Sequence, residues 1–222
     1  MYAAPVSLPH LRTWLMATAT ATALCLTSCS SSALSALAPA STADSAAADS
    51  AAASTPAAGT PASSGHALKR VHDPRRVTGT LQGHCAYRDN GQLPDPRCTP
   101  GSVDPVVTQG NLRSTICHPG YTKTVRPSAS QTNKFKFEVA YPAYGDAHSK
   151  KTELDHLVSL ELGGSNDAAN LWPETPPTPN PKDKVENALH AAVCDGRVTL
   201  AAAQNAVASD WLTAETKLGI SS

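Results

Sequence analysis

Residues 154–173 read Leu-Asp-His-Leu-Val-Ser-Leu-Glu-Leu-Gly-Gly-Ser-Asn-Asp-Ala-Ala-Asn-Leu-Trp-Pro. Apolar and polar side chains alternate around Asp155 and His156, which predicts a strand. This alternation places the two side chains on opposite faces unless the strand ends or bulges there. The Gly-Gly pair at 163–164 predicts a turn, and Asn170 opens a second extended segment. We therefore expect a β-hairpin-like pair of strands.

A helix is predicted after this pair. Asn180 is a good N-cap, Pro181 suits the first helical position, and Gly196 is a typical stop after about Cys194. A last helix is expected after Thr199. Its apolar face comprises Leu200, Ala203, Val207 and Trp211. We expect this face to lie in the core, together with Trp172 from the second strand.

In this order of strand, Gly-Gly turn, strand and helix, the sequence resembles the HNH endonuclease motif. The close similarity covers residues 154–173 and extends more loosely to Cys194, whereas residues 66–150 and 195–222 contribute nothing to it. The usual fold of that family is a ββα-metal finger. The resemblance therefore implies an α+β domain with a ββα-metal (HNH) core at 151–196, and metal-dependent hydrolysis of phosphodiester bonds.

The resemblance also implies roles for three residues. His156 is the general base, Asp155 is a metal ligand, and Asn170 braces the loop that holds the base. These residue types suit the reaction, because a neutral histidine with a pKa of about 6.5 can take a proton from water. One divalent cation can neutralise the scissile phosphate and the leaving 3′-oxygen.

The third position of the family motif, a His or Asn at the start of the helix, is where this sequence departs from the pattern. Asn180 has the more family-like spacing but also fits the N-cap. Asn187 lies further along, on one helix stripe with Asp183 and His190. His190 is expected to be a structural or interface residue and not a ligand. Both Asn180 and Asn187 remain candidate metal ligands. Oxygen ligands favour Mg²⁺ or Mn²⁺, with Zn²⁺ or Ni²⁺ as alternatives.

Charge is balanced overall, with 18 basic and 18 acidic residues, but it is uneven along the chain. Residues 113–151 carry seven Lys and Arg against two acidic residues, and residues 152–222 carry four against ten. A basic segment leading into an acidic one suits a polyanion-binding surface beside a cation site, although a charge run is more often a solvated face. Arg113 and Arg126 are candidates for bidentate phosphate contacts.

The expected substrate is nucleic acid, DNA in the first instance and RNA as an alternative. The sequence shows no helix-turn-helix or other base-reading module. Binding through phosphates with little sequence preference is therefore expected.

Four cysteines lie in the part of the chain expected to fold, and none has Cys-x-x-Cys spacing. This pattern favours disulfides in an oxidising compartment over a zinc ribbon. Sequence leaves three pairings open. We favour Cys85–Cys98, which closes a loop rich in Gly, Pro and Asp, and Cys117–Cys194, which ties the N-terminal region to the second half.

An uncharged apolar run from Trp14 to Leu26 has the length of a signal-peptide core. It leads into Leu26-Thr-Ser-Cys29, which resembles the lipobox of bacterial lipoproteins. The resemblance implies that residues 1–28 are a signal peptide and that Cys29 is lipidated and anchors the chain to a bacterial membrane. An ordinary secretory signal, giving a soluble secreted or periplasmic protein, is the alternative.

The rest of the chain divides by composition. Residues 29–65, almost entirely Ala, Ser, Thr and Pro, predict a disordered tether. Residues 66–150 are expected to be a loop-rich, basic part of the domain, although at 134–139 we favour a helix over a strand. Residues 197–222 supply the C-terminal helix.

Taken together, the sequence predicts an exported metal-dependent HNH endonuclease. One alternative is a non-catalytic surface protein that binds nucleic acid or another polyanion on an HNH scaffold. Another is a toxin-like nuclease, for which the sequence shows no delivery or receptor-binding domain. No obligate protein partner is expected.

Overall fold

The computed structural model of the protein describes residues 67–146 and 152–220. These residues belong to one unit that spans 58–222. The predicted signal peptide, Cys29 and the tether lie outside the described residues. Across the two described ranges, no helix is both long enough and apolar enough to cross a membrane.

The described part of the chain is an α+β domain, as the sequence predicts, with two two-stranded sheets and six α-helices. The strands are β1 (Lys69–Arg70), β2 (Ser102–Val103), β3 (Glu153–His156) and β4 (Leu171–Glu174). The helices are α1 (Tyr121–Val125), α2 (Ala129–Phe135), α3 (Tyr141–Tyr144), α4 (Pro181–Cys194), α5 (Leu200–Asp210) and α6 (Ala214–Lys217). β1 pairs with β2 in parallel, and β3 pairs with β4 antiparallel.

The predicted pair of strands is confirmed. β3 and β4 run antiparallel, with Asp155 opposite Trp172 and His156 opposite Leu171. The connection at 157–170 is longer than a tight hairpin turn and contains two 3₁₀ turns. Gly164 is required there, because a Cβ at this position would lie 1.8 Å from the carbonyl oxygen of Val158.

Helix α4 begins and ends where the sequence predicts. The Asn180 side chain accepts a hydrogen bond from the Lys182 backbone N–H at 2.9 Å, and the Asp183 carboxylate accepts one from the Asn180 N–H at 2.9 Å. This reciprocal pair satisfies two of the amides that a helix start leaves without partners. The chain leaves the helix at Gly196, whose φ is +73°.

The core joins the hairpin to the two long helices. Trp172 of β4, Leu189 of α4 and Val207 of α5 are fully buried in one apolar cluster. Trp211 is also buried there, so the predicted core face of the last helix is confirmed. Full burial of an apolar side chain of this size contributes about 1.5–3 kcal/mol. The core therefore fixes α4 against the hairpin that carries Asp155.

Part of the N-terminal region is more ordered than the loop-rich expectation. Residues 67–120 contain short strands and 3₁₀ turns, but 121–144 is largely helical. The helix favoured at 134–139 is confirmed as the end of α2 followed by a π turn over Lys136–Ala140. Lys134 is a good helix former, and Phe135 is buried against the core, which together explain why this segment is not a loop.

Both favoured disulfides are confirmed. Cys85–Cys98 joins two residues that are 13 positions apart in sequence, and Cys117–Cys194 joins two that are 77 positions apart. The disulfide that closes the longer loop removes more conformational entropy from the unfolded chain. In the chain-entropy model it therefore stabilises the fold by about 1–2 kcal/mol more than the disulfide that closes the shorter loop. Cys117–Cys194 also fixes the segment before α1 to the C-terminal end of α4.

Candidate functional site

A polar cavity of about 460 Å³ opens beside the end of β3. Side chains from the hairpin, the first half of α4 and the segment after α1 line it, including Arg126, Asp155, His156, Asp183, Glu186 and Asn187. A larger cavity of about 700 Å³ lies between Trp211 and the Pro176–Pro177 segment. Since neither a carboxylate nor a histidine lines that larger cavity, the polar chemistry belongs to the smaller one.

Asp155 and His156 reach the same cavity although they are adjacent in a strand. Strand alternation alone would point them to opposite faces. β3 ends at His156, however, and the chain then turns away into the 157–170 connection. The strand therefore ends at this pair, and strict alternation does not continue beyond it.

His156 is 7% exposed, and its Nε2 lies 2.9 Å from Oδ1 of Asn166. Burial lowers the pKa of His156, and the positive charges of Arg126 and Lys182 act in the same direction. Asp155 and the Asn166 hydrogen bond oppose this effect, but the pKa stays below its ordinary value. The imidazole is therefore neutral at neutral pH, as a general base must be.

Lys182, in the first turn of α4, is fully buried beneath the cavity. Its Nζ donates to Oδ2 of Asp155 at 2.6 Å, to the carbonyl oxygen of His156 at 2.8 Å and to the Glu186 carboxylate. Burial would lower the pKa of Lys182, but Asp155, Glu186 and Glu174 outweigh burial and raise it. The lysine is therefore a fixed cation that orients Asp155.

The same lysine sets the ionisation of Asp155. Burial would raise the pKa of Asp155, but the charge of Lys182 and its hydrogen bond outweigh burial and hold this pKa below its ordinary value. Asp155 is thus ionised at neutral pH, with one oxygen on Lys182. A carboxylate in this state can serve as a ligand for a cation.

Two further carboxyl groups surround this ion pair. Burial raises the pKa of Glu174 to about 9 and that of Glu186 to about 8, and the negative charge of Asp155 adds to both increases. Oε1 of Glu174 has no hydrogen-bond partner among the described residues. Three carboxyl groups therefore lie near one buried lysine. This excess of acidic groups favours either protonation of the carboxyl groups or the binding of an additional cation.

The raised pKa of Glu174 predicts a pH-dependent stability. From its ordinary value of 4.5 up to about 9, the folded protein keeps a proton that the unfolded chain has lost. Wild-type stability therefore falls as pH rises through this window. Glu174→Gln should remove this pH-dependent contribution. In urea unfolding with EDTA, the free energy of unfolding of the variant minus that of wild type should therefore rise by at least about 1 kcal/mol from pH 5 to pH 8. The exposed Glu138→Gln is the control, and a constant difference between Glu174→Gln and wild type across this range would contradict the prediction.

Asn170 is fully buried and braces the connection between the strands. Its Oδ1 accepts from the backbone N–H of Val158 at 2.9 Å and of Ser102 at 3.3 Å. Its Nδ2 donates to the carbonyl oxygens of Val158 and Ser165, both at 2.9 Å. Asn170 therefore ties the connection to β2 and does not line the polar cavity.

The structure separates the two candidate asparagine ligands. Both ends of the Asn180 amide are engaged, because Oδ1 caps α4 and Nδ2 donates to the carbonyl oxygen of Pro176 at 2.5 Å. Asn180 lines the larger apolar cavity. Asn187 lines the polar cavity, and its Nδ2 donates to the Asp183 carbonyl oxygen at 2.7 Å. Only Asn187 of the two is thus near Asp155.

The two candidate arginines lie at different cavities. Arg126 is exposed and lines the polar cavity. Arg113 lines a different cavity, beside Cys117 and Cys194, and is not brought to the site. Of the two candidate arginines, Arg126 is therefore the one that lies at the cavity of His156.

A second group of possible metal ligands lies at the disulfide. One ligand atom each from Cys117, His190 and Cys194 lies within 4.8 Å of the others. The two cysteines form a disulfide, whose sulfurs carry no thiolate, so this group could hold a metal only after reduction. His190 Nε2 lies 2.9 Å from the carbonyl oxygen of Ile116, which agrees with the structural role expected for it.

Sequence reasoning missed the residues beneath the cavity. Lys182 and Glu186 have i,i+4 spacing, but this spacing is common in exposed helical ion pairs and does not indicate burial. Glu174 follows a Trp-Pro pair, and no sequence pattern marks it as a buried residue of the site. Asn166 lies just after the predicted Gly-Gly turn, and no local pattern marks it as a partner of His156.

Comparisons of the chain with protein-family models, with curated proteins and with solved structures found no match.

Proposed function

We propose that the protein is an exported metal-dependent nuclease of the HNH type, which hydrolyses phosphodiester bonds of DNA. The observation that carries this proposal is the shared cavity at the end of the β3–β4 hairpin. Asp155 and His156 face it together with Asn187 of the following helix. This strand, strand and helix order is the one that the ββα-metal resemblance implies.

The side chains around the cavity suit a hard divalent cation. They offer carboxylate and amide oxygens and no thiolate, a set that favours Mg²⁺ or Mn²⁺ over a structural zinc site. The excess of carboxyl groups over the single buried lysine supports the same reading. Asp155, Asn187 and Glu186, the last after loss of its proton to solvent, would hold the ion. Once bound, it would neutralise charge on the scissile phosphate and the leaving 3′-oxygen.

The neutral His156 supplies the base. In the proposed reaction it removes a proton from water while the water oxygen bonds to phosphorus. The bond from phosphorus to the 3′-oxygen then breaks, and the leaving 3′-oxygen takes a proton from a water molecule, while His156 returns its proton to solvent. The products are a 5′-phosphate and a 3′-hydroxyl. Arg126, at the edge of the cavity, would hold the phosphate through its guanidinium group.

Export is part of the proposal. Two disulfides are typical of proteins that fold in an oxidising compartment. They support export and therefore the interpretation of residues 1–28 as a signal peptide, whereas lipidation of Cys29 rests on the resemblance of residues 26–29 to a lipobox. The nuclease would then act at the outer side of a bacterial membrane, or as a soluble secreted protein if Cys29 is not lipidated.

A substrate-by-metal panel tests the function. Supercoiled plasmid, single-stranded DNA and RNA are incubated with the purified protein and Mg²⁺, Mn²⁺, Zn²⁺ or Ni²⁺, with EDTA as the control. We expect DNA cleavage with Mg²⁺ or Mn²⁺ and none in EDTA. Binding to DNA without cleavage under every metal would contradict the nuclease and support the non-catalytic polyanion-binding alternative.

A further inference from the structure

We infer that Asn166 is a positioning residue, which holds His156 in the tautomer with hydrogen on Nε2 and leaves Nδ1 as the basic atom. The catalytic consequence rests on the proposed function, but the tautomer itself does not. Asn166 is 1% exposed, so its amide forms its hydrogen bonds within the protein.

The orientation of the Asn166 amide follows from its partners. One amide hydrogen goes to the carbonyl oxygen of Asp73 and one to that of Val125, each at 3.0 Å. A carbonyl oxygen only accepts, so the atom that faces both must be the NH₂ nitrogen. The Oδ1 atom is therefore the one that lies 2.9 Å from Nε2 of His156.

This orientation determines where the histidine carries its hydrogen. Because Oδ1 of Asn166 can only accept, Nε2 of His156 must donate. A neutral imidazole has one N–H group, so Nδ1 keeps an unprotonated lone pair. His156 lines the polar cavity, and Nδ1 is the atom left to take a proton from water there.

Asn166 is itself held from several directions. Its backbone N–H donates to Oδ1 of Asp73 at 2.8 Å, and Oδ2 of Asp73 accepts from the Thr78 hydroxyl at 2.8 Å. Its second amide hydrogen fixes Val125, the residue before Arg126. One asparagine thus joins the N-terminal segment, the base and the segment that carries the phosphate-facing arginine.

Nitrogen-15 NMR of the full chain, labelled at histidine, tests the tautomer directly. At a pH where His156 is neutral, we expect a protonated Nε2 and an unprotonated Nδ1, with the Nε2 hydrogen protected from exchange. A protonated Nδ1 in the wild-type protein would overturn the inference. If this tautomer is found in a protein that cleaves no nucleic acid, the proposed function fails and the positioning by Asn166 stands.

Two variants test the role of Asn166. Asn166→Ala should remove the exchange protection of the Nε2 hydrogen and lower kcat for plasmid cleavage about tenfold or more, with a smaller change in KM. Gln131→Ala is the matched control, because Gln131 holds the same N-terminal segment through Arg75 and Val77 but does not reach His156. It should keep both the protected hydrogen and kcat. An equal loss of kcat in the two variants, or an unchanged protected hydrogen in Asn166→Ala, would overturn the inference.

Discussion

His156→Ala should lower the rate of metal-dependent DNA cleavage by about 10²–10⁴-fold, the usual contribution of a general base. Among the residues that the structure describes, the alanine removes the only histidine that lines the polar cavity. It also frees Oδ1 of Asn166, so some loss of stability is expected as well. Cleavage is measured as loss of supercoiled plasmid under excess enzyme, with thermal unfolding of the variant to establish that it is folded.

The matched control for this variant is His84→Ala. His84 is exposed and lies outside the polar cavity. Its replacement should leave the cleavage rate within about twofold of wild type, since surface substitutions away from a site rarely alter it. Full cleavage by a folded His156→Ala protein would show that His156 is not the base.

Lys182→Met should destabilise the fold by about 3–5 kcal/mol, the typical cost of removing one partner from a buried ion pair. Methionine keeps much of the side-chain volume but leaves Asp155 and Glu186 without their cation. The loss should shrink as pH falls, because without Lys182 the buried Asp155 and Glu186 must hold protons that the unfolded chain releases at neutral pH but keeps at low pH. Urea unfolding at pH 5 and pH 7.5, in EDTA, measures both effects.

Lys184→Met, two residues along the same helix, is the control. Lys184 is exposed, so its replacement should change stability by less than about 0.5 kcal/mol. Adding Glu186→Gln to Lys182→Met should restore part of the stability at pH 7.5, since the amide does not need the proton that a buried Glu186 carboxyl must hold there. If Lys182→Met costs no more than Lys184→Met, the buried cation does not organise the site.

Local patterns accounted for much of the fold. Asn180, Pro181 and Gly196 mark the ends of α4 through backbone chemistry that lies within a few residues of each end, so the sequence could predict them. Alternation predicted the hairpin for the same reason. The composition of the loop around Cys85 and Cys98 likewise sufficed to favour their pairing.

The parts of the site that the sequence did not predict depend on distant contacts. Asn166 bonds Asp73 and Val125, which are 93 and 41 residues away in sequence. Lys182 gives no sign of burial, because lysine is almost never fully buried and helical i,i+4 pairs are normally exposed. Tertiary packing alone places this lysine beneath Asp155.

The choice between Asn180 and Asn187 shows how one residue can satisfy two patterns. Spacing favoured Asn180 as the third ligand, whereas its chemistry equally suited a helix cap. The cap takes its Oδ1, and a backbone carbonyl takes its Nδ2. A local motif cannot decide between two such uses, but the hydrogen bonds of the folded protein can.

The chemistry of the cleaved ends tests the central claim most directly. DNA cut by the wild-type protein with Mg²⁺ or Mn²⁺ is assayed for labelling by polynucleotide kinase before and after phosphatase treatment, and for extension by a polymerase. Attack of water on phosphorus with loss of the 3′-oxygen predicts 5′-phosphate and 3′-hydroxyl ends, so labelling requires phosphatase and extension does not. Ends that carry a 3′-phosphate, or an absence of cleavage with either metal, would contradict a nuclease centred on Asp155 and His156.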